Sequence, residues 1–523
     1  MTSRTAVGAG LSQARAARAI RPGERIHVVG VGGAGASAAA LLAHHAGALA
    51  SGCDPGGPSP YTPALEAAGL SLAWRHDPAH VTEGVPPDRL AVTKALTAIA
   101  PDHPELVAAR RAGVPIEPWQ QVVADAAIGR TLIGVAGTHG KSTSAGWLVH
   151  VLVEAGADPS AFVGALLPAN LTGGIAATAR WGRGAPFVVE ADEYAGNFDA
   201  YRPAIAIVTS AEWDHPDVFA DRAAVVAVFD AWLRLAADEA VGGEPPTVIA
   251  NVADDGVAEL ATGLREWPGH VVATALLDAP AQRLASFGRG MAEEFRSGLG
   301  PATVVLGRVA AAAPATTTLE IHGLDSLRGA VAVRLPTAGR HNAANALGVA
   351  AAALAAGVGG DAIAAGLASF PGVGRRLERK GDAAEVTVYD DYGHHPTAIR
   401  ETLAAVRQRE PGRRVWAVYE PLTYHRTAAL LDGFAAALAE ADGVAIADIW
   451  AGRDPDTTIA SAAGLAEAVG KRRPGLTVAA PGSVEDTATW LARAVRPGDV
   501  VLVMGGGRSY RIGELLLDDL GRR

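Results

Sequence analysis

The sequence predicts an α/β protein of several domains, and three observations predict it. Twice an apolar run enters a glycine-rich turn and continues as a helical pattern: residues 26–29 lead into Gly30-Val31-Gly32-Gly33-Ala34-Gly35, and residues 132–136 lead into Gly137-Thr138-His139-Gly140-Lys141-Ser142-Thr143. Further apolar runs of strand length end in acids or histidines, near 190, 210, 390 and 420, as strands of an open parallel sheet do at their carboxyl ends. A length of 523 residues sets an expectation of about three domains.

Composition narrows the function classes. Hydrophobic residues make up 49% and charged residues 19%, enough for several cores and unlike a disordered chain. A net charge of −10 argues against a nucleic-acid-binding surface. Cys53 is the only cysteine, so neither a disulfide framework nor a thiolate zinc site is expected, which suits a reducing cytoplasm. Residues 1–24 are rich in Arg, Ala and Gly without an apolar core and read as a flexible leader, not a secretory signal. The Ala-rich stretch 349–358 is too short and too weakly apolar for a membrane span, so no membrane partner is expected. Oligomeric state leaves no signal that can be read here.

In chain order, the first turn satisfies G-x-G-x-x-G between strand and helix, and Asp54 closes the next strand where a ribose-binding acid would stand. Alone, this suggests an NAD(P) enzyme. A helix N-terminus under a glycine-rich turn accepts any diphosphate, however, that of a UDP-sugar included. Both readings stand at this point.

The second turn has the order of a phosphate loop. Glycines let backbone N–H groups crowd around phosphate oxygens, Lys141 brings a point charge, and Ser142 can offer its hydroxyl to Mg²⁺. The bland alternative is a βα turn that happens to carry a lysine. The full G-x-x-x-x-G-K-[ST] pattern is incomplete, because Val135 stands where its first glycine belongs. Downstream, Glu190 closes a strand as a hard oxygen donor suited to Mg²⁺. His215 follows the next strand and is not a ligand that softness rules would propose for that ion. Both could be ordinary strand-end polar residues. Residues 242–315 are weakly patterned; 246–251 reads as a strand and the rest as variable loops.

A third domain is expected from residue 335. Asn342 and Asn345 lie three apart at the start of an Ala-rich helix, hence on one face, and their amides suit an adenine edge. Then come Gly372-Val373-Gly374-Arg375-Arg376-Leu377, the run Asp390-Asp391-Tyr392-Gly393-His394-His395-Pro396-Thr397, and Glu420-Pro421-Leu422-Thr423-Tyr424-His425-Arg426-Thr427. A last apolar strand meets Gly505-Gly506-Gly507-Arg508.

Taken together, these motifs resemble the Mur ligase family of ATP-dependent amide-bond-forming enzymes. The resemblance rests on the short G-T-H-G-K-S loop with His before the second Gly, on Gly32-Gly33 with Ser37, and on the Glu190-Ala191-Asp192-Glu193-Tyr194 and Asp214-His215-Pro216-Asp217 runs. The H-N-x-x-N and D-D-Y-G-H-H-P-T runs complete it, so it spans the chain from Gly30 to Gly507. It implies three α/β domains: a Rossmann-like UDP-binding domain over 25–129, a central P-loop ATPase domain with a mainly parallel sheet over 130–334, and a C-terminal dinucleotide-fold-like domain over 335–523 that closes over ATP.

The resemblance also implies a reaction: ligation of L-alanine to the carboxylate of UDP-N-acetylmuramate through an acyl phosphate, with ATP as co-substrate and Mg²⁺, in cytoplasmic peptidoglycan precursor synthesis. It would place Gly137, Thr138, His139, Gly140, Lys141, Ser142, Thr143, Asn342, Asn345, Arg376 and Asp391 around ATP, with the metal on Ser142, Glu190 and His215. Lys141, Glu190, His215 and Arg376 would carry catalysis. Gly30, Gly32, Gly33, Ala34, Gly35, Ser37 and Asp54 would hold the UDP-sugar, and Tyr392, His394 and Arg426 the amino acid.

Two departures stand out. Leu422 occupies a place where the family commonly has His, which leaves amino-acid specificity open, and Gly505-Gly506-Gly507-Arg508 replaces a G-A-G-D run. A ligase that attaches a ready-made tripeptide to UDP-N-acetylmuramate in cell-wall recycling shares most of these motifs, but its first loop is usually less glycine-dense. An NAD-dependent oxidoreductase would explain residues 30–35 and Asp54 yet leave 137–143 idle. A non-catalytic UDP-sugar-binding protein would not need Lys141, Ser142, Glu190 and His215 intact.

Overall fold

The computed structural model describes residues 7–239, 246–279, 281–325, 329–452, 454 and 456–522. Three sheets follow one another along the chain. The first holds β1 (Arg25–Val29), β2 (Leu49–Cys53), β3 (Ser71–Ala73), β4 (Arg89–Val92) and β5 (Ile116–Pro118) in the order β3-β2-β1-β4-β5, all parallel. The chain runs outward from β1 on both sides, so the turn after β1 lies at the topological switch point where open α/β sheets bind ligands. Alternation along β1 sets the two faces. Ile26 and Val28 pack under helix Ala34–His45, while Val29 joins Cys53, Leu90 and Leu106 under helix Pro104–Ala112.

The second sheet comprises β6 (Thr131–Ala136), β7 (Ser160–Leu167), β8 (Ala177–Arg180), β9 (Pro186–Glu190), β10 (Ile205–Val208), β11 (Thr247–Asn251), β12 (Val271–Leu276), β13 (Thr303–Ala313), β14 (Thr316–Asp325) and β15 (Gly329–Leu335). Its order is β15-β14-β13-β12-β11-β10-β6-β9-β7-β8, parallel from β13 to β7 and antiparallel at both ends. Because β6 lies between β9 and β10, with Val135 beside Glu190 and Ala136 beside Val208, three strand ends empty into one place. The third sheet is β16 (Glu378–Ala383), β17 (Val386–Asp391), β18 (Val415–Glu420), β19 (Gly443–Ala447), β20 (Val478–Gly482) and β21 (Val500–Gly505), ordered β16-β17-β21-β18-β19-β20 with only β16 antiparallel. Here β21 lies between β17 and β18. Asp391, Glu420 and Gly505 therefore end neighbouring strands together.

Three expectations need correction. Helices Arg340–Ala355 and Gly360–Ser369, expected in the third domain, pack on the second sheet: Val349, Ala353, Ile363 and Leu367 share a core with Ile133, Trp147 and Leu148. An Ala-rich helix is thin and comes close to a sheet, which the position of the Asn pair in the chain could not reveal. Residues 242–315 are largely regular: β11, β12, β13 and helices Asp255–Gly263 and Ala281–Glu294 occupy them, with 242–245 and 280 outside the described residues. The leader's residues 1–6 also lie outside the described residues, but 7–24 are strapped to the first domain. Arg15 pairs with Glu117 at 2.9 Å and Asp125 at 2.7 Å, Arg18 pairs with Glu24 at 2.6 Å, and the Ser12 amide donates to the Ile116 carbonyl at 2.8 Å. No helix among the described residues is long and apolar enough to cross a membrane.

Candidate active site

All three domains border one cavity of about 1340 Å³, which the carboxyl ends of β6, β9, β10, β17 and β18 face. Its floor is the turn Gly137–Gly140 and the N-terminus of helix Lys141–Glu154. Gly140 is at φ +79°, and a Cβ there would stand 2.5 Å from Asn345 Oδ1. A glycine is needed on both counts, and the H-N-x-x-N helix thereby leans on the loop. The turn is braced by β10: the His139 amide donates to Ser210 Oγ at 2.8 Å, and Thr138 Oγ1 donates to the Glu212 carbonyl at 3.0 Å.

Lys141 is buried at the helix start. Its Nζ donates to the Gly137 carbonyl at 2.7 Å and to Glu193 Oε2 at 2.9 Å, with Asp192 Oδ1 at 3.5 Å. Burial works against the ammonium, but Glu193 and Asp192 outweigh it and its pKa is raised. Burial, with the charge on Asp192 adding to it, holds Glu193 above the usual carboxylate range despite Lys141. Asp192 lies below that range, since Lys141 and His215 overcome its burial. The lysine is thus kept charged and aimed along the loop, where phosphate oxygens would compete for it.

Ser142 ties two domains together. Its hydroxyl donates to Glu190 Oε1 at 3.0 Å and accepts from Arg376 Nη2 at 2.8 Å. Glu190 Oε2 in turn accepts from the Gly164 amide at 2.6 Å. Of the three residues expected on the metal, Ser142 and Glu190 meet directly. His215 instead groups with Asp192 and Glu193, whose ligand atoms all lie within 4.8 Å of one another. A second group, His139, Glu212 and His395, lies beside the loop. Thr397 Oγ1 donates to Glu212 Oε2 at 2.7 Å, and burial near His139 lowers His395 to about 4, so that ring is neutral at pH 7.

From the third domain, Arg426 is buried between Asp214 Oδ1, at 2.6 Å, and His215 Nδ1, at 3.0 Å, and so clamps that domain to the strand end of β10. Burial and the Arg426 charge hold His394 well below the usual imidazole range. His394 Nδ1 lies 2.9 Å from the Tyr392 carbonyl, and the guanidinium of Arg376 lies 5.0 Å from the Tyr392 ring centre. Asp391 accepts from the Leu377 and Gly393 amides, both at 2.7 Å, and Asn342 donates to the Ala338 carbonyl at 2.8 Å; both hold backbone in place. His215, Arg375, Leu377 and Thr423 adopt φ of +53°, +56°, +50° and +59°, a left-handed conformation uncommon outside glycine that concentrates at functional turns.

The two departures turn out to be one feature. A Cβ on Gly506 would collide with Leu422 Cδ1 and stand 3.0 Å from Tyr392 Cζ, and one on Gly507 would lie 3.0 Å from Trp450 Cγ. The bare backbone after β21 makes room for Leu422, which is 6% exposed and borders the cavity beside Tyr392.

In the first domain, Gly35 borders the cavity, with Trp119 packed where its Cβ would be. Gly33 caps helix Ala34–His45 in an ordinary extended conformation, and a Cβ there would make only an ordinary contact at 3.5 Å with the Gly30 carbonyl. Asp54 accepts from the Gly32 amide at 3.0 Å and the Gly56 amide at 2.8 Å. Ser37 is buried, donates to the Ala34 carbonyl at 2.9 Å, and lies 3.1 Å from Thr178 Oγ1 across the domain boundary. Asp54 and Ser37 thus shape the loop and its seat. Asp192, Glu193 and His395 stand in the sequence motifs without an assigned role, and Glu212 lies two residues before the Asp214-His215-Pro216-Asp217 run. Their clustering depends on strands adjacent in the sheet and distant in the chain.

Three family profiles match in sequence order: "Mur ligase family, catalytic domain" over residues 25–131, "Mur ligase middle domain" over 135–353, and "Mur ligase, glutamate ligase domain" over 375–507. A UDP-N-acetylmuramate–L-alanine ligase of Frankia casuarinae is 34% identical over 523 residues, covering 95% of this chain and 98% of that protein. One from Mycobacterium sp. (strain JLS) is 37% identical over 503 residues, covering 95% and 96%. Among solved structures, the UDP-N-acetylmuramate–alanine ligase of Thermotoga maritima superposes with a TM-score of 0.72 at 21% identity, covering 94% of this chain and 98% of that one. A murein peptide ligase of Psychrobacter arcticus gives 0.69 at 25% identity, covering 96% and 99%. The three sheets, the shared cavity between them and relatives matched along nearly their whole length carry one conclusion: the chain belongs to the Mur ligase family.

Proposed function

We propose that this chain joins L-alanine to the carboxylate of UDP-N-acetylmuramate, driven by ATP through an acyl phosphate, as a cytoplasmic step of peptidoglycan precursor synthesis. The observation that carries the reading is Ser142, held between Glu190 of the central sheet and Arg376 of the third domain at the mouth of the phosphate loop. Curated relatives at 34–37% identity bear the L-alanine ligase name, which favours it over the tripeptide alternative. An oxidoreductase would leave the loop and its acids without work.

The chemistry asks little covalent work of the protein. The muramoyl carboxylate oxygen forms a bond to the γ-phosphorus as the bond to the ADP oxygen breaks. The amine nitrogen then adds to the acyl carbon, phosphate leaves from the tetrahedral intermediate, and the amine gives up a proton. Phosphoryl transfer depends on alignment and charge neutralisation. Lys141, at the loop, and Arg376, from the opposing domain, are the cations placed for it. Ser142, Glu190 and Asp192 bring hard oxygen donors to the same cavity wall, a set that fits Mg²⁺, with His215 on that wall and grouped with Asp192. When bound, that ion would neutralise phosphate charge. Arg426 on Asp214 holds the third domain closed, which keeps water from an acyl phosphate. The Leu422 and Tyr392 wall suits a small apolar side chain such as the alanine methyl.

Phosphate release with ATP and UDP-N-acetylmuramate, screened over L-alanine, L-serine, glycine and a tripeptide, tests the reading. Release that requires L-alanine is the expected result. Release with the tripeptide and none with L-alanine would replace it by the recycling ligase.

A further inference from the structure

Away from the cavity, on the face of the first sheet that carries Cys53, four potential metal ligands converge. His27 (β1), Cys53 (the end of β2), His80 and Glu105 (helix Pro104–Ala112) bring ligand atoms that all lie within 4.8 Å of one another. Glu105 is fully buried at their centre. Its Oε1 is 3.1 Å from Cys53 Sγ and 3.0 Å from His80 Nδ1, and its Oε2 is 3.4 Å from His27 Nε2. A tetrahedral ion with bonds of about 2.0–2.3 Å sets its ligand atoms roughly 3.3–3.8 Å apart, so small shifts suffice to admit one.

Two further observations point to a ligand. His27 is 4% exposed, and its Nε2 makes no well-aligned hydrogen bond, only the 3.4 Å contact with Glu105 Oε2. Its Nδ1 lies 2.8 Å from Ser51 Oγ, the kind of outer contact that fixes a metal-binding imidazole with its other nitrogen toward the ion. Outside the four, His76 Nδ1 stands 3.3 Å from Cys53 Sγ, and the ring of His103, both nitrogens buried without a hydrogen bond, lies 4.3 Å from that of His76. A separate cavity of about 600 Å³ bordered by His27 and His80 offers a way in.

We propose that His27, Cys53, His80 and Glu105 form a zinc site within the UDP-binding domain, distinct from the nucleotide-linked Mg²⁺. The ligand set is mixed: a sulfur and two imidazoles favour zinc over Mg²⁺ or Ca²⁺. Charge also balances. As the metal–sulfur bond forms, the Cys53 thiol gives up its proton to solvent, so thiolate and carboxylate together cancel the double positive charge and leave a neutral buried centre. Such an ion would cross-link β1, β2, the 77–82 segment and the helix carrying Glu105. It would brace the turn after β1 from below, since the Cys53 carbonyl accepts from the Gly30 amide at 2.8 Å and the Val31 amide at 3.1 Å.

The test uses the full chain with Mg²⁺ in excess and Co²⁺ as a spectroscopic stand-in. One equivalent of Co²⁺ should give a thiolate-to-cobalt charge-transfer band in the near ultraviolet, displaced by Zn²⁺, retained in Glu190→Gln and absent in Cys53→Ala. No band in the folded wild type, or one that survives Cys53→Ala, overturns the proposal. Should Cys53→Ala not fold, His80→Gln carries the test: it should weaken Zn²⁺ binding by at least about tenfold, since outer-shell changes alone have that effect. Unchanged affinity there also overturns it.

Discussion

The turns after β1 and after β6 both carry a strand into a helix through glycines, at the carboxyl edge of a parallel sheet, yet their surroundings differ. After β6 a lysine is buried in the first helical turn, held on Gly137 and Glu193, and acids from β9 and the cation Arg376 close around it. After β1 the turn is held by backbone contacts and by the side chains of Asp54 and Ser59, with Trp119 packed on Gly35 and only an ordinary 3.5 Å contact awaiting a Cβ at Gly33. Both open onto a helix whose first turn offers N–H groups to an anion. A standing diphosphate needs little more than those groups. A phosphoryl group in transfer redistributes its charge, and cations placed in advance stabilise that redistribution. On the proposed function, the same local structure would thus separate holding from reacting.

The largest expected effect breaks the reacting turn. Lys141→Ala should lower turnover by about 10² or more, the scale of losing a preorganised electrostatic donor, while UDP-N-acetylmuramate binding stays intact. Steady-state rates beside calorimetric titration of the UDP-sugar check both halves; wild-type-like turnover in a folded variant would remove Lys141 from the chemistry. Next, Glu190→Gln keeps one acceptor oxygen, for either the Ser142 hydroxyl or the Gly164 amide, but removes the negative charge. The Mg²⁺ concentration for half-maximal rate should rise by about tenfold, and an unchanged Mg²⁺ titration would leave Glu190 a mere strand-end residue.

The holding turn should break differently. Neither φ nor packing demands glycine at 33, so Gly33→Val fits the fold and places its side chain over the helix N-terminus. UDP-N-acetylmuramate affinity should fall several-fold or more, with ATP affinity unchanged, since close backbone approach to the diphosphate is lost. Equal losses for both ligands would point to misfolding instead.

These contrasts also show where the sequence was legible. Both turns announce themselves because strand, glycines and helix are contiguous, and Glu190 and His215 because acids and histidines end apolar strands. What escaped is what only the fold brings together. The Ala-rich helix Arg340–Ala355 belongs to the central core through Trp147 and Ile133, partners about two hundred residues away. Helix Asp255–Gly263 and β12 lie in a stretch too uniformly small and apolar for its period to stand out. Cys53 reads as a lone thiol until β1, β2 and helix Pro104–Ala112 set His27 and Glu105 beside it. Ser37 and Asp54 sit where a ligand-binding pattern places them, yet their side chains bond to protein.

A third glycine-rich turn, after β21, sharpens the comparison with the smallest effect. Gly505-Gly506-Gly507 ends a strand as the others do, but the absent side chain at 506 admits Leu422 and Tyr392, not an anion. If Leu422 and Gly506 depend on one another, changing either alone should cost more than changing both. Gly506→Ala forces the Leu422 methyl aside against a buried wall, and overpacking of this kind costs about 1–3 kcal/mol. Leu422→His leaves a polar ring facing bare backbone. In the double variant the smaller, flatter imidazole gives the new methyl room, so a coupling of about 0.5–3 kcal/mol should appear in the double-mutant cycle for thermal stability. The same cycle read on kcat/KM separates packing from specificity. L-alanine against L-serine or glycine differs by only a hydroxyl or a methyl, a difference an apolar wall resolves by roughly 1–3 kcal/mol, and the double variant should shift that ratio toward L-serine. Additive stabilities would uncouple the two positions, and an unshifted ratio would move the amino-acid pocket away from Leu422.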